Sequence, residues 1–313
     1  MSVTLQNVLY GIAVADAIGN PLEFLTSVSP EDFHASVEAD ELRISDDTQM
    51  TLFLAEAKLL GKNSKDAYLW WYKTQVLPSP SQISTGTLSD FEVLYHREAP
   101  GMTCMASCAS LSRGDAVHND SKGNGTVMRC FPIAYWHWVS GGSLAEAVVD
   151  AAADASLTHK HPAAAYSSAF LVEVYWYLFD GNTLMEAVST ASEGVSLKFR
   201  MEPVNWAPIR VPLNDLAFQG ASKSLGGWVA EEAVTLALGA AALGSDYMDV
   251  VRKAVCIGGD SDTVGAIAGA LAVLMGHNVP EHLTLKLNAL HAIDFVVALY
   301  SRQNYGTAQE HQP

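Results

Sequence analysis

The segment that most restricts the fold is an apolar run from Val264 to Gly276, bounded by Asp262 and His277. Its thirteen residues are all Gly, Ala, Val, Ile, Leu or Met. The run is shorter than the roughly 20 residues that a helix needs to span a bilayer. A helix that is apolar on every side and rich in small residues has to be buried against close neighbours. We therefore expect the chain to fold around this helix.

Helical periodicity dominates the rest of the chain. In residues 47–61, apolar side chains recur at steps of three and four and a glycine closes the run. The segment from Pro162 to Gly181 starts with proline and ends with glycine, as helices often do. Similar patterns occupy residues 144–157, 184–195, 229–244 and 263–276. No run of alternating β-branched residues competes with them, so the sequence predicts an all-α, multi-helix fold.

Three segments are predicted to be loops because they are rich in Gly, Pro, Ser and Asn: Ser79 to Asp90, Leu111 to Gly125 and Arg200 to Asp215. None of them reads as a linker between independent domains. We therefore expect residues 1–313 to form a single domain, with the polar residues 302–313 as a flexible tail.

Charge and cysteine content narrow the functional classes. The chain has 18 Lys and Arg against 34 Asp and Glu, a net charge of −16. This balance argues against binding to a nucleic-acid backbone, which requires clustered basic residues. The first twenty residues lack a secretory signal pattern, and four scattered cysteines do not form a disulfide framework. We expect a cytoplasmic protein with no membrane partner.

Two acidic clusters each stand directly before a predicted helix, Ser45-Asp-Asp-Thr48 and Gly259-Asp-Ser-Asp-Thr263. Both offer oxygen donors and neither contains His or Cys, which suits hard cations such as Mg²⁺, Mn²⁺ or Ca²⁺. The alternative is helix capping, since Ser, Thr and Asp are the preferred N-cap residues. Because the second cluster opens the buried helix and has no Lys or Arg beside it, we favour a divalent cation as its neutralising partner.

Three further features are ambiguous when taken alone. Glu23 follows a Gly-Asn-Pro turn and is either a surface acid or part of a site. The loop Gly123-Asn-Gly125 is either a plain turn or a backbone cradle for a phosphate. His159 and His161 have the spacing of a zinc pair, but no third nitrogen or sulfur ligand lies near them in the sequence.

Together and in this order, these pieces resemble the ADP-ribosylglycohydrolase family, which includes the dinitrogenase-reductase-activating hydrolases and the ADP-ribosyl-acceptor hydrolases. The resemblance spans Gly11 to Ala270, and its most specific parts are the DDT and GGDSDT motifs. The matching stretches are GIAVADAIGNPLEF, SDDTQMTLFLAEA, REAPGMTC, KGNGTVMR, LTHKHP, LGGWVAEEAV and GGDSDTVGAIAGA.

The resemblance implies an orthogonal helix bundle with two Mg²⁺ ions, or Mn²⁺, at its centre. By motif position, it implies metal ligands at Ser45, Asp46, Asp47, Asp260, Asp262 and Thr263. It implies contacts with ADP-ribose from Ser121, Gly123, Asn124, Gly125 and His159. Ser121 stands where some arginine-specific members carry an acidic residue, so the resemblance leaves the acceptor open.

The expected function is Mg²⁺-dependent hydrolysis of the glycosidic bond between ADP-ribose and its acceptor, an ADP-ribosylated protein or a small molecule. We expect Asp46 or Asp47 to accept a proton from the attacking water, and Glu23 to protonate the leaving group or position the water. Three alternatives remain: an ADP-ribose-binding module with little turnover, a structural or inhibitory protein that acts on a partner by contact, and a two-metal phosphoester hydrolase. The oligomeric state is left open.

Overall fold

Helices occupy most of the chain, as the periodicity of the sequence predicts. The structure, a computed structural model, describes residues 4–199, 211–212 and 214–309. Its α-helices are α1 (Leu5–Gly19), α2 (Pro30–Glu38), α3 (Asp46–Leu59), α4 (Ser64–Val76), α5 (Met102–Arg113), α6 (Phe131–Val139), α7 (Leu144–Thr158), α8 (Pro162–Phe179), α9 (Leu184–Phe199), α10 (Asp215–Ser224), α11 (Ala230–Leu243), α12 (Tyr247–Val255), α13 (Ser261–Leu274), α14 (Glu281–Thr284) and α15 (Leu290–Gln309). Across the described residues only isolated β-bridges accompany the helices, which confirms the all-α prediction.

The predicted apolar helix is α13, and it lies at the centre of the molecule. Every one of its residues, from Ser261 to Leu274, is buried. It contacts α1, α3, α8, α11 and α12. Helix α3 is buried along its whole length as well, and it packs against α1, α4, α6 and α15. The two helices that follow the acidic clusters are therefore both in the core.

Helices α1 and α13 approach each other so closely that their backbones touch. A Cβ placed on Gly11 would lie 2.8 Å from the carbonyl oxygen of Gly269. A Cβ on Gly265 would lie 2.8 Å from the carbonyl oxygen of Ala15. Real Cβ atoms essentially never come this close. The small residues of both segments therefore have a packing role, and they bring the end of α1 beside the start of α13.

The helix starts follow the residues that predicted them. The hydroxyl of Ser45 accepts a hydrogen bond from the backbone N–H of Asp47, 3.2 Å away, at the start of α3. Helix α8 begins at Pro162, where the Nδ1 atom of His161 accepts the N–H of Ala163 at 3.0 Å. These are ordinary N-terminal caps. His161 is therefore used for capping and is not one of the residues that line the cavity described below.

The loop predictions are partly wrong. Residues 111–113, predicted as loop, form the last turn of α5, whose buried side chains are the small Cys104, Ser107 and Cys108. Such residues produce no apolar periodicity, so no helical signal is visible there in the sequence. Short 3₁₀ helices also interrupt the predicted loops at Leu88–Asp90 and Asn124–Thr126.

The predicted loop 200–215 and the predicted tail 302–313 lie partly outside the described residues. Of the predicted loop 200–215, residues 200–210 and 213 lie outside them, and Asp215 begins α10. Helix α15 continues to Gln309, through most of the segment predicted as a tail, and residues 310–313 lie outside the description. Within the described part of the chain, no helix combines the length and the apolar character needed to cross a membrane.

Candidate active site

One cavity of about 690 Å³ opens where the N-termini of α3, α5 and α13 meet. Its volume is in the range of small-molecule sites. Its walls include these sequence-predicted residues: Glu23, Asp46, Asp47, Gly123, Asn124, Gly125, His159, Asp260, Asp262 and Thr263. Two predicted residues, Ser45 and Ser121, are not among its lining residues. The hydroxyl of Ser121 lies behind the wall, 3.1 Å from that of Thr103.

The carboxylates form a group with little positive charge near it. Oxygen atoms of Glu23, Asp260 and Asp262 lie within 4.8 Å of one another, close enough to share a metal ion. Asp46 and Asp47 line the same cavity. Among the described lining residues, the only Lys or Arg side chain is the exposed Arg97. Within residues 4–199, 211–212 and 214–309, the group therefore has no neutralising ion pair.

Burial and mutual repulsion shift these acids towards their neutral forms. Burial, followed by the charge of Asp262, raises the pKa of Glu23 to about 9. The same two causes raise the pKa of Asp46 and Asp47 well above the usual range. Loss of hydration also raises the pKa of Asp260 and of Asp262. Such a set requires protons or a cation at neutral pH.

Helix capping does not account for these carboxylates. Asp260 occupies the N-cap position of α13, but its side chain caps no backbone N–H of that helix. Its Oδ2 atom instead accepts the side-chain amide of Asn124 at 2.7 Å. In α3 the cap is the hydroxyl of Ser45, while the Oδ1 atom of Asp47 is buried without a hydrogen-bond partner. The Oδ1 atom of Asp262 accepts the N–H of the residue that follows it, at 2.9 Å, and its side chain also bonds those of Asp260 and Ser45.

The donor set fits a hard divalent cation. It consists of carboxylate and hydroxyl oxygens, and one of these oxygens, Oδ1 of Asp47, is buried with its bonding capacity unused. A buried acceptor without a partner is costly, and a bound cation would satisfy it. The residues present therefore match the type of metal that the sequence predicts.

Asp16 is a residue that the sequence analysis did not single out. It lies on α1, is fully buried, and accepts hydrogen bonds from the backbone N–H groups of Ser45 and Thr48, at 3.1 and 3.2 Å. The hydroxyl of Thr48 donates to it as well. Asp16 therefore caps α3 from another helix and fixes where Asp46 and Asp47 stand. The available signal was a lone acid in a segment of small apolar residues, which has to find partners when buried.

The Gly123-Asn-Gly125 loop and His159 also line the cavity, and Asn124 bonds Asp260 directly. Both glycines lie close to neighbouring side chains. A Cβ on Gly123 would lie 3.0 Å from Nε2 of His159, and a Cβ on Gly125 would lie 2.6 Å from Sγ of Cys104. Neither glycine has a positive φ angle. At position 125 a side chain would force Cys104 to shift, whereas at position 123 His159 would have to give by a few tenths of an ångström.

His159 presents a neutral ring to the cavity. Burial and the nearby charge of Arg129 lower its pKa to about 3. Its Nδ1 atom lies 2.9 Å from the hydroxyl of Thr158. That hydroxyl also accepts a hydrogen bond of 2.8 Å from Nη2 of Arg129. Arg129 is itself fully buried, with its guanidinium 4.0 Å from the centre of the Tyr68 ring. This buried network fixes the orientation of the imidazole ring. The sequence alone did not indicate that Thr158, Arg129 and Tyr68 take part in it.

Comparison with known proteins decides the family. The family model described as ADP-ribosylglycohydrolase matches residues 5–306. The chain belongs to the ADP-ribosylglycohydrolase family. A solved structure titled "ADP-ribosylglycohydrolase-related protein complex" is similar with a TM-score of 0.61 and 22% identity, over 95% of this chain and 96% of that one. No curated protein matches the chain.

Family membership supports glycohydrolase activity on ADP-ribosylated substrates. The structural likeness, at 22% identity, shows the shared fold. It confirms the predicted fold class.

Several other aromatic, acidic and thiol side chains have structural roles. Trp71 and Tyr175 are fully buried in the core and offer no ring surface to a ligand. Glu231 lies in the first turn of α11 and pairs with Lys122. Cys104 is a buried thiol, and burial raises its pKa to about 11, so it lacks the thiolate character of a nucleophile.

Proposed function

We propose that the protein is a Mg²⁺-dependent hydrolase that cleaves the glycosidic bond between ADP-ribose and its acceptor, releasing ADP-ribose. The observation that carries this proposal is the group of carboxylates at the starts of α3 and α13 and at Glu23, which line one cavity together with the Gly123–Gly125 loop. The acceptor is an ADP-ribosylated protein side chain or a small molecule.

Two Mg²⁺ ions, or Mn²⁺, would be held by the side chains of Ser45, Asp46, Asp47, Asp260, Asp262 and Thr263. When bound, such ions lower the pKa of water and attract electron density from substrate oxygens. The unpartnered Oδ1 atom of Asp47 and the absence of a described ion pair for these acids support this assignment. Ser45 serves through its hydroxyl, which lies 3.3 Å from Oδ2 of Asp47.

The acids divide the proton transfers. Asp46 or Asp47 would accept a proton from the attacking water. Glu23 is half-buried in the cavity, with its carboxylate beside those of Asp260 and Asp262, and we assign it to protonation of the leaving group. The remaining carboxylates would stabilise the oxocarbenium-like transition state electrostatically.

The Gly123–Gly125 loop and His159 would bind the substrate without adding charge to the site. His159 is neutral, so its ring can hydrogen-bond the substrate at any working pH without altering the charge of the site. The glycines at positions 123 and 125 leave space beside the ring. Ser121 would support this loop from behind through its bonds to Thr103 and to the N–H of Gly123.

The test is release of free ADP-ribose from arginine-, serine- and otherwise ADP-ribosylated substrates, with Mg²⁺ and with EDTA. We expect release with Mg²⁺ alone, and its loss in Asp262→Asn, which removes a charge without removing bulk. Asp66→Asn, in the first turn of α4, is the matched control and should retain full activity.

Two results would replace this proposal. Tight binding of ADP-ribose with no release from any substrate would identify a binding module. Hydrolysis of phosphoesters, with glycosidic bonds left intact, would identify a two-metal phosphoester hydrolase.

A further inference from the structure

A charged side chain, Arg129, lies in the core directly behind His159. It is fully buried, and its Nε atom is 3.5 Å from Oδ2 of Asp154, although neither of these two atoms makes a hydrogen bond. A buried ion pair of this kind adds little to stability, because the cost of removing both charges from water offsets their attraction. Stability alone therefore does not account for an arginine at this position.

The hydroxyl of Thr158 connects Arg129 to His159. A guanidinium can only donate hydrogen bonds, so the hydroxyl oxygen accepts Nη2 of Arg129 at 2.8 Å. The second neighbour of this oxygen is Nδ1 of His159, at 2.9 Å. If Nδ1 carried a proton, it would also donate to the oxygen, and the buried hydroxyl hydrogen would have no acceptor among the described contacts. Such an orphaned donor is costly, so the hydroxyl donates to Nδ1.

The proton of the imidazole ring is therefore on its other nitrogen, Nε2. Burial and the charge of Arg129 lower the pKa of His159, so the ring is neutral and carries one proton. Nδ1 is an acceptor, which leaves Nε2 as the donor. The ring lines the cavity, and no hydrogen bond described for the chain uses Nε2. The N–H at Nε2 is thus available to a molecule in the cavity.

We propose that Arg129 and Thr158 are positioning residues, which fix the proton of His159 on Nε2 so that the ring donates a hydrogen bond to an oxygen of the bound ligand. Arg129 sets the direction of the whole chain of bonds, because it cannot accept. Bonds in such a chain polarise one another, so the buried charge strengthens the donor without entering the cavity. The identity of the ligand, ADP-ribose, rests on the proposed function.

Nitrogen NMR measures the position of this proton directly. In protein labelled with heavy nitrogen at histidine, long-range proton–nitrogen correlation separates a protonated ring nitrogen from a bare one. The chain has 10 histidines, so the signals of His159 are assigned by their loss in His159→Gln. For the Mg²⁺-loaded wild type we expect a protonated Nε2 and a bare Nδ1 that accepts a hydrogen bond. Addition of ADP-ribose should shift the Nε2 signal, and ADP alone shows whether a phosphate oxygen suffices.

Variants at position 158 test the role of the hydroxyl. Thr158→Val keeps the shape but removes the donor, so Nδ1 should take the resonance of a nitrogen without a hydrogen bond. The affinity for ADP-ribose, measured by calorimetry, should fall about three- to tenfold, the usual effect of one lost hydrogen bond. Thr158→Ser restores the hydroxyl and should restore both properties. Thr74→Val, which removes a buried hydroxyl that also donates and accepts, is the matched control and should change neither.

A double variant tests the role of Arg129. Removing the arginine alone would leave the carboxylate of Asp154 buried without its partner, so Arg129→Met is combined with Asp154→Asn. The new amide oxygen can still accept the hydroxyl of Tyr68, which bonds Oδ1 of Asp154 at 2.5 Å. The Thr158 hydroxyl is then free to accept or to donate, so we expect a weaker hydrogen bond at Nδ1. A purely structural arginine would leave the Nδ1 resonance unchanged.

Each contrary result has a distinct meaning. A wild-type ring protonated on Nδ1, or on both nitrogens, would overturn the proposal. Unchanged Nδ1 resonance and ADP-ribose affinity in Thr158→Val would overturn the role of the hydroxyl, and this holds even if the double variant fails to fold. An Nε2 signal that does not move at saturating ADP-ribose would overturn the donor role. Failure to release ADP-ribose from any substrate would reject the proposed function, while the proton position is still decided on the ligand-free protein.

Discussion

The side-chain amide of Asn124 donates a hydrogen bond of 2.7 Å to Oδ2 of Asp260, a residue 136 positions away in the chain. The same amide nitrogen donates to the carbonyl of Gly227 at 2.8 Å. Both amide hydrogens are thus used, and the orientation of the side chain is determined. This pair of bonds connects the Gly123–Gly125 loop to the start of α13, so these two parts of the cavity lining are positioned together.

Replacing this amide by a carboxylate should destabilise the protein in a pH-dependent way. In Asn124→Asp, a second carboxyl group faces Asp260, and its pKa is raised on folding because two like charges meet in a buried site. We expect a loss of about 2–3 kcal/mol in unfolding free energy near pH 8, and a smaller loss near pH 5 where the group is protonated. Urea denaturation at the two pH values measures this difference.

Asn63→Asp is the control for that variant. Asn63 is the exposed N-cap of α4, where Asp serves equally well. Its unfolding free energy should match the wild type at both pH values. An equal loss in the two variants would contradict the role given to Asn124.

The acidic group should make the metal-free protein less stable as pH rises. A carboxyl group with a raised folded-state pKa binds more protons when folded, so stability is lost as pH climbs towards that pKa. For Glu23 this window extends from its ordinary value of 4.5 to about 9. Because the pKa of His159 is lowered on folding, its titration makes the protein more stable as pH rises, but only below its ordinary value of 6.5.

We therefore expect the Tm in EDTA to fall between about pH 7 and pH 9. Excess Mg²⁺ should reduce this fall, because the cation replaces the protons. Glu23→Gln should flatten part of the decline seen in EDTA. Thermal melts followed by circular dichroism measure all three, and a Tm in EDTA that is constant or rising across this range would refute the expectation.

Asp16 should matter for stability and for metal binding. Asp16→Ala leaves the buried N–H groups of Ser45 and Thr48 without their acceptor, which we expect to lower the unfolding free energy by about 2–4 kcal/mol. The variant should also weaken Mg²⁺ binding, because Asp46 and Asp47 are the first two residues of α3 and their positions depend on the helix start that Asp16 caps. Denaturation and calorimetric titration with Mg²⁺ measure the two effects. Asp246→Ala removes the exposed cap of α12, and should lower stability by about 1 kcal/mol without changing Mg²⁺ affinity.

Gly125 should tolerate no side chain. In Gly125→Ala the new Cβ meets Sγ of Cys104 at 2.6 Å, and we expect a loss of about 1–3 kcal/mol together with weaker ADP-ribose binding. The double variant Gly125→Ala/Cys104→Ala should recover part of the stability, because it removes the sulfur atom. Gly220→Ala, on α10 with nothing within 4 Å, should be neutral or stabilising. No recovery in the double variant would place the origin of the strain elsewhere.

The sequence predicted those parts of the fold whose signals are local. Helix α8 begins at Pro162 as expected, and the apolar run became the buried α13, because proline position and apolar periodicity act within a few residues. The end of α5 was missed because its buried face is made of Cys104, Ser107 and Cys108, which are too small to produce an apolar pattern. Local signals therefore failed where packing relies on small residues.

The candidate site shows the same division. The acidic motifs and the Gly-Asn-Gly loop were identifiable because each lies within a few consecutive residues. Asp16 and the bond from Arg129 to Thr158 were not, because the partners are distant in the chain and their roles depend on the fold. The positive φ angle of Phe24 is likewise imposed by its bond to Gly259 and leaves no trace in the sequence.

The close approach of α1 and α13 also bears on the order of folding. The two helices that meet at Gly11 and Gly269 are synthesised almost a whole chain apart. A nascent chain that has emerged only as far as α12 already contains Asp46 and Asp47, but it has nothing to cover the glycine-containing face of α1. Joining such distant segments is slow compared with forming local helices. The cavity should therefore form late, in one step with the docking of α13, and nascent chains that end before Ser261 should contain no partly working site.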